Sequence, residues 1–442
     1  MENQRISYRT EAIVVGYKKK TNLKNCGILW VGEIPEHWDM KKFKHFYASS
    51  MGNTILKEDL SDEAATPVYS ATEYVEILGY IDNPNVILNK DDFIIPARGN
   101  SIGHVKLVAE KCTCTQTTIY ARSLNPGRIN PNFVYWYQIG LRSKLYEFDN
   151  TAIPQLTVRQ VKENPILVPS PDEQQAIAAF LDRETVRIDA LIQKKERMIE
   201  LLKEKRIALI TQAVTKGLDA NVPMRDSGIE WLGEVPEHWR ITSIKHIAKV
   251  VNGSTPSSSE PDFWDGDILW ATPDDLGSLN DKYLCSTNRQ ITKEGYQSCG
   301  TTIAPGNSIV LSTRAPIGHV ALTLNDMCCN QGCRILVPQG SIVSDYLYYL
   351  LLSSKAVLDA LGQGSTFKEL NRERLSSFKL PLPRIEEQKD IITYIDLEIL
   401  RNTQISEKLK ESISLLREYR ASLIHHAVTG KIDLRGHDAQ AQ

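Results

Sequence analysis

The sequence predicts an α+β protein in which two similar α/β globular domains are joined by two long antiparallel coiled-coil helices, the halves related by a pseudo-twofold internal repeat. Three observations predict it. The phrase GEIPEHW at 32–38 returns as GEVPEHW at 233–239. Further echoes follow in the same order along the chain, the signature of internal duplication. Finally, the windows 172–216 and 384–429 contain neither Gly nor Pro, whereas the stretches before them hold most of both.

The echoes place the elements. Ile28-Leu29-Trp30 answers Ile229-Glu230-Trp231, and Lys44-His45 answers Lys245-His246. FIIPARGNSIGHV at 93–105 is matched by SIVLSTRAPIGHV at 308–320, each an apolar strand-like run, an Arg, a turn and Gly-His-Val. Gln116 and Gln331 lie beyond them, then the aromatic helical runs FVYWYQ from Phe133 and YLYYLL from Tyr346. VPSPDEQQAIAAFLD at 168–182 pairs with LPRIEEQKDIITYID at 382–396, and AVTKGL at Ala213 with AVTGKI at Ala427. The globular parts, with short β-rich runs between turns, are assigned to 28–169 and 229–383. Residues 1–27, with Lys18-Lys19-Lys20, form an extension that either packs on the end of the second helix or is disordered.

Helices follow at 170–217 and 384–431, with 218–228 a linker and 432–442 a tail. The first opens on Ser170-Pro171-Asp172-Glu173, a capping box with Pro at the first helical position. Gly217 and Gly430 are natural stops. Leu181, Ile188, Lys195, Leu202 and Leu209 recur every seven residues, as do Ile395, Asn402, Leu409, Leu416 and Leu423. Leu191, Met198, Ile405 and Ile413 fall between them, completing a coiled-coil seam. A helix of about 40 residues spans roughly 60 Å, against about 30 Å for a domain of about 140 residues. The helices are therefore spacers.

Composition bounds the chemistry. A chain of 442 residues with formal net charge −2 is globular and has no global attraction to polyanions, although a local basic face remains open. Its eight cysteines lack any CxxC pair, so buried reduced thiols are expected and no metal site. No secretory or membrane-spanning segment is read, and a cytoplasmic location is expected. Phosphate-loop, zincin, nucleophile-elbow and dinucleotide fingerprints are missing. Thr429-Gly430-Lys431 lacks an upstream glycine loop. Asn130-Pro131-Asn132-Phe133 resembles the Asn-Pro-Pro-Phe of amino-methyltransferases, but no glycine-rich cofactor loop precedes it. The chain is expected to be non-catalytic, with no cofactor of its own.

Two similar modules on rigid spacers form a caliper, and its natural ligand is double-stranded DNA with two half-sites. Lys41, Lys42 and Lys44, Arg98 and Arg314, and Arg159, Lys368, Arg372 and Arg374 are suited to it. The polar loops Gly253-Ser254-Thr255 and Gly364-Ser365-Thr366 add donors for phosphates or base edges.

In these residues the chain resembles a specificity subunit of a type I restriction–modification system. The resemblance is carried by the twin Pro-Glu-His-Trp phrases, GDILWATPDDL at 266–276, STRAPIGHV, the PDEQQAI and IEEQKDI helix starts and the AVTKG and AVTGK helix ends, over about 28–435. It implies two target recognition domains, each reading one half of a bipartite DNA sequence. It also implies helices that set the gap and seat two modification subunits, adenine-N6 methyltransferases that flip their base. Those subunits would hold S-adenosylmethionine. Two restriction subunits would bring ATP- and Mg-dependent translocation and cleavage, and no membrane is involved. Base contacts are then expected in loops 69–74, 98–104 and 151–159, and in 270–275, 314–319 and 364–372. The candidate residues are Tyr69, Ser70, Thr72, Arg98, Asn100, Ser101, His104 and Arg159 in the first half, with Lys41 and Lys42. In the second half they are Ser254, Thr255, Thr272, Asp274, Thr313, Arg314, His319, Ser365, Thr366, Lys368 and Arg372. A self-contained methylating or cutting enzyme, and a transcriptional regulator or purely structural protein using the same caliper, are the competing readings.

Overall fold

The computed structural model describes residues 22–146, 155–279, 281–364 and 368–435. Most of the predicted extension, including Lys18-Lys19-Lys20, lies outside the described residues, as do Ser365 and Thr366. The chain divides into two compact units, Met1–Glu196 with Lys410–Gln442, and Arg197–Leu409.

The long helices run over Pro171–Lys216 and Ile385–Val428. The first begins as its sequence dictates. Glu173 accepts from the Ser170 hydroxyl at 2.8 Å while its own amide donates back to Ser170 Oγ at 3.4 Å, which satisfies donors that a helix start otherwise leaves open. Each helix is followed by a glycine in the left-handed region, Gly217 at φ +78° and Gly430 at φ +70°.

In unit 1 the central antiparallel sheet has the strand order Tyr47–Met51, Thr118–Ser123, Phe93–Pro96, Lys106–Leu107. Phe93–Pro96 is buried at every position, which is why it reads as a continuous apolar run without alternation. A second sheet has the order Ile77–Ile81, Thr66–Tyr69, Thr113–Cys114. Asp39–Lys42 pairs with Pro165–Val168, the strand that leads into the first long helix. The aromatic helix Pro131–Gly140 starts on Asn130, whose side chain accepts from the amides of Asn132 and Phe133. The Asn-Pro-Asn-Phe run is thus a helix cap.

Unit 2 has a corresponding layout. Its central sheet has the order Ala248–Asn252, Cys333–Pro338, Ile309–Ser312, Val320–Thr323, Tyr283–Leu284. Gln290–Ile291, Trp264–Ala271 and Met327–Cys329 form the second sheet, and Arg240–Ser243 pairs with Lys379–Leu382. The structure also moves the start of the first half. Leu23–Asn25 pairs with Glu33–Pro35 as Met224–Asp226 pairs with Glu234–Pro236. Residues 23–27, read from sequence as extension, therefore match part of the predicted linker.

The repeated phrase clamps helix ends. In unit 1 His37 Nε2 donates to both oxygens of Glu173, at 2.9 and 3.0 Å, and Trp38 Nε1 lies 3.5 Å from the same carboxylate. Burial works against that carboxylate, but hydrogen bonds from His37 and Ser170 hold it below its ordinary pKa. A Cβ on Gly430 would meet Pro35 and come within 3.0 Å of Trp38. In unit 2 His238 Nε2 donates to Glu387 at 3.0 Å and Trp239 Nε1 at 2.8 Å, with Gly217 against the Trp239 ring. In each unit, then, the phrase grips the first turn of one long helix and the terminal glycine of the other.

Within unit 1, Arg420 pairs with Asp189 through two bonds of 2.9 and 3.1 Å, and Arg417 reaches Glu196 at 2.8 Å. The buried face of the first helix there is Leu181, Thr185, Ile188 and Ile192. Leu191, Met198 and Ile405, which the heptad reading placed in the seam, are instead 40%, 50% and 45% exposed. Ile413, from the same set, is buried at 6%, so the predicted seam holds at some positions and not at others, because the face a helix buries is set by the surface packed against it.

Near the end of the second helix, burial, then Lys431 and His426, push His425 down to about 4. A histidine whose folded value is depressed stabilises the fold above its unfolded value of about 6.5. That contribution is lost as pH falls through about 4. Urea titrations at pH 7.5, 6, 5 and 4 are expected to show a shallower acid loss for His425→Gln than for the wild type. An identical slope would remove His425 as a cause.

Candidate nucleic-acid interface

The antiparallel pairing at the centre of each central sheet carries several loops to one end. In unit 1 the strands Tyr47–Met51 and Phe93–Pro96 both end where Thr118–Ser123 begins. The Gly52 amide donates to Thr118 O at 3.0 Å, Asn53 to Cys114 O at 2.9 Å and Ala97 to Thr117 O at 3.0 Å. Thr115 donates to Tyr69 O, and Leu156 to Ala97 O, each at 2.9 Å. Arg98 forms a β-bridge with Gln155. Loops 52–54, 69–74, 98–104 and the 155–159 segment thus share one rim.

Unit 2 repeats the arrangement. The Ser254 amide donates to Cys329 O at 3.0 Å, Asn330 to Ala271 O at 2.9 Å and Arg314 to Gly332 O at 3.2 Å. Leu370 donates to Thr313 O at 2.8 Å, and Arg314 bridges Glu369.

Most candidates of the first half sit on this rim. Arg98 and Asn100 are exposed and Tyr69, Ser70, Thr72, Ser101 and His104 are half-buried. Arg159 is exposed in the first turn of Val158–Glu163, just past the Arg98 bridge. Lys41 and Lys42 do not reach it. They lie on the Asp39–Lys42 strand, before Tyr47–Met51, whereas the rim follows that strand's other end at Gly52. Lys42 and Lys44 each donate to Glu163 at 2.6 Å, and these bonds hold Glu163 down to about 2.

In the second half Ser254, Thr255, Thr272, Asp274, Arg314, His319 and Arg372 surround the rim, with Arg372 in the first turn of Arg372–Ser377. Thr272 is committed to capping, its hydroxyl donating to Asp275 at 2.6 Å. Lys368 donates to Asp359 at 2.7 Å. Thr313 must be corrected: it is fully buried and bonded to Gly332 O at 3.3 Å, because the side chain after Ser312 turns into the sheet.

The twin Gly-His-Val turns are built alike. Gly103 at φ +71° and Gly318 at φ +89° face Tyr146 and Lys355 so closely that a Cβ would overlap or crowd them. Only glycine fits both the dihedral and the space. Both histidines are pushed down by burial and a neighbouring cation, Arg142 beside His104 and Lys355 beside His319. They are neutral at pH 7, so they can exchange hydrogen bonds but carry no charge to a phosphate.

Sequence reasoning missed three features. Gly52-Asn53-Thr54 is the counterpart of Gly253-Ser254-Thr255 at the same 201-residue offset as the opening phrase, so the signal was present. Thr54 donates to Gln116 Oε1 at 2.8 Å, as Thr255 does to Gln331, and a Cβ on Gly52 or Gly253 would overlap a backbone carbonyl of the facing turn. Lys106 is 4% exposed and donates to Ser70 O at 3.0 Å and Thr72 Oγ1 at 2.7 Å. Burial lowers it to about 8. Asp275 does the corresponding work in unit 2, accepting from the Thr272 amide and hydroxyl and from the Asn288 amide at 2.8 Å. The third is Glu369, which lies within the expected 364–372 loop but was not singled out there, and which accepts from Arg314. Among the described residues no group of His, Cys, Asp and Glu could hold a metal, and no helix is long and apolar enough to cross a membrane.

The two units thus carry rims with matching backbone bridges. The family described as type I restriction modification DNA specificity domain matches residues 35–201 and again 236–415. The chain belongs to this family of type I restriction–modification specificity subunits. It is 24% identical over 451 aligned positions to the putative type I restriction enzyme MjaX specificity subunit of Methanocaldococcus jannaschii, covering 96% of this chain and 99% of that one. It is 38% identical over 189 residues to the MjaIX specificity subunit of the same organism, a match spanning 42% of this chain and 44% of the relative. Among solved structures, the HsdS subunit from Thermoanaerobacter tengcongensis superposes with a TM-score of 0.55 at 16% identity, covering 90% of this chain and 98% of that one. A chain from work on complex assembly and conformational transition of the type I R-M system reaches 0.69, also at 16%, with coverage of 90% and 99%.

Proposed function

We propose that each unit reads one half of a bipartite double-stranded DNA target. The long helices pair as an antiparallel coiled coil, set the gap between half-sites and seat the modification subunits. The chain supplies address and scaffold in the cytoplasm and is itself non-catalytic. S-adenosylmethionine is held by two modification subunits that methylate adenine at N6, and ATP and Mg by two restriction subunits. The observation that carries this is the pair of rims: the same backbone bridge recurs in both units with a different side chain on it, Gln155 opposite Arg98 in one and Glu369 opposite Arg314 in the other. A shared scaffold with divergent edges is what two different half-sites require, since sequence is read by side chains at base edges.

The test is co-expression with the cognate methyltransferase followed by genome-wide mapping of N6-methyladenine. A bipartite motif is expected, and exchanging 28–169 with 229–383 should exchange its halves. Methylation by the purified chain alone, or a motif unchanged by the exchange, would overturn the proposal.

A further inference from the structure

The two rims differ most in charge beside their matched arginines. In unit 1 Arg98 bridges the neutral Gln155, and the first residues of the adjoining strand are Thr118-Ile119. In unit 2 the matching bridge joins Arg314 to Glu369, and the strand opens Cys333-Arg334. Arg314 Nε donates to Glu369 Oε2 at 3.0 Å, and Arg334 Nη2 stands 3.6 Å from Oε1. Arg334 is itself fixed by bonds to Gln331 O at 3.1 Å and Cys333 O at 2.9 Å. The Glu369 backbone is locked to Gln363 in both directions, at 3.0 and 2.9 Å. The side chain is nonetheless 33% exposed. Glu369 is therefore a carboxylate aimed from two sides and pinned along its backbone, with access to solvent at the rim.

We propose that Glu369 is a specificity-determining residue of unit 2, accepting a hydrogen bond from the exocyclic amino group of a target base in the major groove. This rests on the DNA-reading function proposed above. A carboxylate only accepts, and it has about four lone-pair sites, of which Arg314 takes one at bonding distance. Phosphates repel it, so its place at a DNA-facing rim must be offset by a donor that DNA presents. The donors in the major groove are cytosine N4 and adenine N6, with cytosine N4 the usual partner of a carboxylate. Arg314 and Arg334 hold the carboxylate ready and limit the electrostatic penalty of approach.

The experiment uses the chain assembled with its modification subunits and DNA whose second half-site is randomised while the first is fixed. Two variants separate acceptor from charge. Glu369→Ala removes both, whereas Glu369→Gln keeps an accepting oxygen and loses the charge. Glu369→Ala is expected to flatten preference at one base pair of the second half-site by roughly tenfold, with Glu369→Gln intermediate. The base favoured there tells cytosine from adenine. In a second library, with the first half-site randomised and the second fixed, preference is expected to stay unchanged. If the two variants behave alike and raise binding to every sequence equally, the carboxylate merely tempers Arg314 and the proposal fails. It fails equally if neither variant changes any preference. A wild-type complex with no bipartite preference would overturn the underlying reading as well.

Discussion

Replacing Trp239 by Ala is expected to lower the stability of unit 2 by about 3–5 kcal/mol, the usual range for truncating a large buried aromatic. The ring is 1% exposed, abuts the terminal glycine of the first long helix and donates its indole N–H to Glu387 at 2.8 Å. Truncation removes apolar burial and also strips a half-buried carboxylate of a donor. Trp38→Ala in unit 1 is expected to cost less: the ring is 2% exposed, but its indole nitrogen stands 3.5 Å from Glu173, too far for a strong bond. Urea unfolding followed by far-ultraviolet circular dichroism reads both. Equal losses in the two variants would mean that ring burial alone supports the joint. Because the Glu173 carboxyl is held below its ordinary value, its contribution is present above the unfolded carboxylate pKa and is lost as pH falls through the lower folded one. The Trp38 variant should therefore be compared with wild type at neutral pH.

The repeated phrases, the two long helices and the glycine turns were legible in the sequence because each leaves a local mark. Glycine and proline cease abruptly at 172 and 384. A turn that tolerates only glycine must show one, as Gly103 and Gly318 do. Even the role of Pro-Glu-His-Trp was half-visible, since a capping Glu173 stands at the expected place after Ser170. What stayed hidden depends on partners distant in sequence. Nothing local says that Lys106 is buried under the 70–72 loop, that Thr313 turns inward while Arg314 turns out, or that Lys42 is occupied by Glu163 across 121 residues. The heptad count erred at some positions for the same reason, although Leu181, Ile188, Ile395 and Leu423 are buried as it expects. Periodicity shows that a helix has an apolar side, but the shape of the neighbouring surface decides whether Leu191 or Ile192 faces it, and here it is Ile192.

Inserting one heptad into both long helices, near 196–197 and 409–410 where the units divide, is expected to change the spacing of the two half-sites and leave both half-sites as they are. Seven residues add about 10.5 Å of helix and return the chain to nearly the same face. Contacts inside each unit then survive: Asp189 still meets Arg420, Trp38 still lies by Glu173, and Trp239 still meets Glu387. A heptad in the first helix alone has a different consequence. Each unit takes the start of one long helix and the end of the other, so a one-sided insertion forces either a loop-out or the loss of one Trp–Glu clamp. That variant is expected to lose cooperative unfolding and all sequence-specific methylation when assembled with its modification subunits. Motif mapping of both assemblies decides the matter. A paired insertion that altered a half-site sequence would show that the helices take part in base reading, and a one-sided insertion that kept the original motif would show that they do not set the spacing.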